Sequence, residues 1–97
     1  MKNFKDETKA NLKSLEQFVP VVDRVHGAHH PEFHDVKRVF EEINEKIKAT
    51  SKDKPNLDNE FKELREITDN YTVPGDVCES YEAVFKMLSL VEEAYKA

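Results

Sequence analysis

The sequence predicts an all-α protein: a four-helix bundle of up-down-up-down topology, one domain over residues 1–97. Three observations predict it. Apolar residues recur at spacings of three and four along four separate stretches, the pattern of amphipathic helices. Apart from Pro20, and Pro31 at the head of the second stretch, every proline and glycine falls between those stretches. The composition, 38% hydrophobic and 36% charged with two glycines and no tryptophan, suits helices with one buried and one solvated face.

Helix 1 is expected over residues 6–26, with Leu12, Leu15, Phe18, Val19, Val22 and Val25 on one face. Pro20 removes a backbone donor and crowds the preceding turn. It predicts either a bend near residues 17–20 or a short helix followed by a second one. Gly27 suits a left-handed helix end, and Pro31 suits the first turn of helix 2. Helix 2 is expected over residues 31–49, with Val36, Val39, Phe40, Ile43 and Ile47 inward and its charged residues in solvent. A polar loop, residues 50–56, leads to helix 3 over residues 57–71, with Leu57, Phe61, Leu64, Ile67 and Tyr71 inward. After the turn at residues 72–76, Asp76 is the expected N-cap of helix 4, with Glu79 completing a capping box. Helix 4 carries two apolar stripes. Val77, Tyr81, Val84, Phe85, Leu88, Val91 and Tyr95 form one; Ala83, Met87, Leu90 and Ala94 form the other. The second stripe is either covered by helix 1, giving a monomer, or left open for a homodimer. Tyr71, Tyr81 and Tyr95 are expected to pack with their hydroxyls at the rim.

Short loops place the helix 1–2 and helix 3–4 turns at one end of such a bundle. Residues 25–34, which hold all four histidines of the chain, should therefore lie near Pro74, Asp76 and Cys78. The net charge of −5 argues against a nucleic-acid surface. No apolar run reaches the roughly 20 residues of a membrane span. The lysines near the N-terminus lack the apolar stretch of a signal peptide. A single cysteine excludes an internal disulfide and points to a reducing, cytoplasmic setting.

Two stretches carry a resemblance. One is Val25-His26-Gly27-Ala28-His29-His30-Pro31-Glu32 followed by an apolar helix. The other is Thr68-Asp69-Asn70-Tyr71-Thr72-Val73-Pro74-Gly75-Asp76-Val77-Cys78-Glu79-Ser80-Tyr81. Together they resemble the hemerythrin-like domain of the RIC (repair of iron centres) proteins, di-iron proteins linked to iron–sulfur cluster repair after nitrosative or oxidative stress. That family holds iron with histidines and carboxylates from all four helices. Counted forward from Pro31 and Glu32, its second-helix His-x-x-x-Glu falls near Thr50 and Lys54, and its third-helix histidine near Pro55 or Asn56. The first-helix histidine would precede Met1, and the fourth-helix His and Glu would follow Ala97. The resemblance therefore implies a RIC-like domain shortened at its metal-bearing end. No cofactor is expected, and the function is that of a protein-binding module in a stress or iron–sulfur context. Its partner would be a cluster-repair or iron–sulfur protein.

Beside it stands a metal-binding or iron-handling alternative. His26, His29, His30 and His34 carry imidazoles that suit iron or zinc, with Cys78 as a soft further ligand. His30 and His34 are one helical turn apart, a spacing that lets two rings reach one ion. Cys78, read as two residues into helix 4, is also a candidate reactive thiol. No nucleophile–base pattern, phosphate-cradling glycine loop or isolated carboxylate pair marks an enzyme.

Overall fold

The computed structural model describes residues 3–97; Met1 and Lys2, at the head of the N-terminal stretch, lie outside the described residues. Among the described residues all regular structure is helical: α1 (Phe4–His26), α2 (Glu32–Ala49), α3 (Asp58–Thr68) and α4 (Glu79–Lys96). No helix among them is long and apolar enough to cross a membrane.

α1 is capped twice at its start. The Asn3 side chain accepts the Asp6 N–H at 2.9 Å. Asp53, from the loop before α3, accepts the N–H groups of Phe4 and Lys5 at 2.9 and 3.1 Å. Three of the four donors that a helix start leaves unpaired are thereby satisfied. The helix runs unbroken through Pro20, so it does not divide into two. Pro20 lies on the exposed side, where the carbonyl that loses its partner is open to water.

Gly27 departs from the left-handed end expected of it. It has φ −58° and ψ −29°, and donates its N–H to the Asp23 carbonyl at 2.9 Å. Its small size has another cause: a Cβ there would sit 2.4 Å from that carbonyl oxygen and 2.6 Å from Cε1 of His34. The left-handed residues lie elsewhere. α3 ends at Thr68, three residues earlier than the periodicity predicts, and Asp69, Asn70 and Tyr71 follow with φ of 51°, 56° and 62°. Such a conformation disfavours a bulky side chain. Thr68 holds it: its hydroxyl donates to the Leu64 carbonyl at 2.7 Å and accepts the Tyr71 N–H at 2.9 Å.

α1 packs along α4 and α2, and α2 packs on α3. The inward stripes of α2, and Leu57, Phe61 and Leu64 of the third segment, are buried as the spacing predicts. Phe33 is buried as well, beside the Tyr81 ring at 5.0 Å and the Phe85 ring at 6.5 Å. α1 differs from its expected face. Leu12, Leu15, Val19 and Val22 are buried, whereas Phe18 and Val25 are 39% and 59% exposed. At 100° per residue, Phe18 and Val25 lie at the edge of the buried arc rather than within it. On α4, Ala83, Met87 and Ala94 are half-buried and Leu90 is exposed.

Two ends of the molecule are thus defined. Phe4 packs edge-on to Tyr95, and Tyr95 Oη accepts the Leu57 N–H at 2.8 Å. At the other end, His26 of α1 reaches Cys78 at the start of α4.

Candidate functional site: the histidine corner

The corner is built by three local features. α1 ends at His26, whose carbonyl accepts the N–H groups of His29 and His30 at 3.1 and 2.8 Å. Pro31 caps α2 with backbone geometry only. α4 begins at Glu79 with Cys78 as its N-cap, so the helix starts later than an Asp76 cap would place it. Asp76 faces His30 instead: its carboxylate oxygens lie 3.1 and 3.2 Å from His30 Nε2. The charge on an imidazole competes there with the N–H groups of the helix start, and the imidazole takes the carboxylate.

The five candidate residues do not share one centre. His30 is held between two carboxylates, with Nδ1 at 3.0 Å from Glu32 Oε1 and Nε2 facing Asp76. The hydrogen bond to Glu32, then Asp76, raises the His30 pKa above its ordinary 6.5 against the opposing effect of desolvation. His34 turns the other way. Its Nδ1 lies 2.5 Å from Asp23 Oδ1, off the line of a hydrogen bond, so that oxygen is left without a donor. His29 is exposed. His26 Nε2 lies 3.0 Å from Cys78 Sγ. Among the described residues, no three His, Cys, Asp or Glu side chains converge as a metal site would require.

Tyr81 underlies the corner. Its ring is edge-on to both His26 and His30, each at 5.6 Å between centroids. Its hydroxyl is buried with no hydrogen-bond partner among the described residues, contrary to the rim position expected of it. Burial, with the charges of Glu32 and Asp76, pushes the phenol up to about 12. Sequence periodicity identifies Tyr81 as a core residue. It carries no signal that His30 would sit between Glu32 and Asp76 while His34 turns to Asp23, since the pairings with Asp76 and Asp23 join separate segments.

The most perturbed exposed group is Cys78. The N–H of Tyr81, then His26, then the N–H of Ser80 lower the thiol to about 7 from an ordinary 9.0. An N-terminal helix position favours the thiolate because the first N–H groups and the dipole both present positive charge. As pH rises through 7 the thiolate fraction should rise through one half. Alkylation of Cys78 by iodoacetamide should therefore show a midpoint near pH 7, and His26→Ala should move it upward. A wild-type midpoint at or above about 8.5, the value of a free thiol, would show that neither the helix start nor His26 acts on the sulfur.

The opposite end does not fit an iron pair. Near the positions where the RIC resemblance would place ligands, the Thr50 carbonyl accepts from the Lys5 ammonium at 2.8 Å. The Lys54 ammonium donates to the Tyr95 carbonyl at 2.6 Å. Ammonium groups have no lone pair and repel a metal cation.

Comparison with protein-family models, with curated proteins and with solved structures finds no match to this chain.

Proposed function

We propose that this protein is a helical module of the RIC-related, hemerythrin-like type, with up-down-up-down connectivity, that acts by binding another protein. The stress and iron–sulfur setting, a cluster-repair or iron–sulfur protein as partner, and a cytoplasmic location belong to the same reading. They rest on the two stretches that resemble RIC proteins and on the lone thiol. One observation carries the binding role. Phe18, Val21 and Val25, at successive turns of α1, are 39%, 41% and 59% exposed in a chain that is 36% charged. Scattered apolar side chains on a surface need no explanation, whereas a row on one helix face is the form in which helices present themselves to partners.

A photo-crosslinking residue at Val21 in cells should form a covalent protein adduct, and the same residue at Glu45, exposed on α2, should not. Equal yields at both positions, or none at Val21, would overturn the reading.

The metal-binding alternative has one observation in its favour, the 3.0 Å approach of His26 to Cys78, which pairs an imidazole with a soft ligand. On the binding-module reading, iron(II) or zinc(II) titrated into chelator-treated protein gives no stoichiometric heat. A one-to-one isotherm lost in Cys78→Ser would replace that reading with the metal site.

A further inference from the structure

We infer that the exposed face shared by α1 and α4 is a two-fold interface, and that the partner it fits is a second copy of this chain. The inference rests on the reading of the α1 row as a binding surface, and it puts a second copy, in place of a cluster-repair or iron–sulfur protein, on that row.

The face takes in two neighbouring helices. His26 meets Cys78 and the Tyr81 ring, while Phe4 meets the Tyr95 ring, so α1 and α4 run in opposite directions side by side. Counting back from both ends puts Ala83 at the level of Val21. A face pairing two copies through a two-fold axis must be complementary to itself. With antiparallel helices, each residue then faces the one equally far beyond the axis. An axis between the levels of Val21 and Val22 on α1, which is between those of Glu82 and Ala83 on α4, satisfies this on both helices at once. On α1 it sets Val21 beside Val21 of the second copy, and Phe18 against Val25 of the second copy. Apolar groups meet apolar groups, and the large ring meets the smaller side chain. On α4, Ala83 has only a methyl group beside the axis, which lets two helices approach closely.

Charge gives the independent check. Glu79 and Lys86 are both exposed, and neither has an ion-pair partner among the described residues. They are seven residues apart, two turns of helix, so they lie along one edge. The same axis places each Glu79 opposite Lys86 of the second copy, twice over. A parallel arrangement would instead set Glu79 on Glu79 and Lys86 on Lys86. The α1 row at the axis is therefore apolar, and Glu79 and Lys86 at the margin carry charge in a self-complementary order, as protein interfaces often do.

Sedimentation velocity from about 5 µM to about 500 µM, a span that reveals any micromolar dissociation constant, tests this. The wild type should pass from monomer to dimer. Val21→Glu places a charge at the axis and should abolish the dimer, with helicity and melting temperature unchanged because Val21 is already exposed. Lys86→Glu should weaken the dimer about tenfold by facing two carboxylates across each margin, and Glu79→Lys with Lys86→Glu should restore it. A wild type that stays monomeric at about 500 µM, a dimer that survives Val21→Glu, or a double variant as weak as Lys86→Glu would each overturn the proposal. A monomeric wild type that still crosslinks from Val21 to a different protein would overturn self-association and leave the binding role standing.

Discussion

Phe33→Ala should lower the unfolding free energy by about 3–5 kcal/mol, the usual cost of emptying a buried aromatic site. Phe33, in the first turn of α2, has no exposed surface and packs on the first turns of α4, against Tyr81 and Phe85. It is therefore the apolar plug beneath the histidine corner. In a domain whose whole stability is on the order of 5–15 kcal/mol, the melting temperature should fall by roughly 15–30 °C. Chemical denaturation with an unchanged dependence on denaturant would confirm that packing alone was lost. A drop of less than about 1 kcal/mol would mean that α4 does not bear on α2 at this point.

Glu92→Ala should be the next most damaging change outside the apolar core, at about 2–4 kcal/mol. Glu92 is buried in α4 and gathers three partners. Tyr71 Oη donates to it at 2.7 Å, Lys96 Nζ lies at 3.0 Å, and the Arg65 guanidinium of α3 pairs with the same carboxylate. Burial and then Glu92 raise the Tyr71 phenol well above its ordinary value, which keeps it a donor. Removing the carboxylate leaves that hydroxyl without its acceptor and opens a void beside it. Lys96, exposed, and Arg65, half-buried at the rim, can turn outward. Glu92→Gln keeps an oxygen for Tyr71 and should cost less than half as much by thermal or urea unfolding. Equal losses for the two variants would show that the charge, and not the phenol's hydrogen bond, is what matters at this site.

The same carboxylate explains why the third helix stops where it does. Tyr71 takes a left-handed backbone that its side chain resists, and its phenol still reaches Glu92 twenty-one residues along the chain. Periodicity extends the helix to Tyr71 because Ile67 and Tyr71 are one turn apart. It has no access to Thr68, whose hydroxyl turns the chain, or to Glu92.

From the sequence alone came the helical class, the four segments, and nearly all of the core of α2, α3 and α4. The reason is that burial on one face forces a spacing of three and four, and that spacing is local. The proximity of His26 to Cys78 was also legible, because short connections between helices leave few ways to arrange them. Other features needed the folded chain. Phe18 and Val25 share the spacing of Leu15 and Val22, yet a rotation of some tens of degrees at the edge of the buried arc leaves them exposed. Gly27 is small because His34 and the Asp23 carbonyl crowd it, not because of its backbone angles. Histidines close together in sequence are drawn apart: His30 goes to Glu32 and Asp76, His34 to Asp23 and His26 to Cys78. An imidazole goes to the nearest complementary group in space, and in a bundle that group belongs as often to a distant segment as to a neighbouring one.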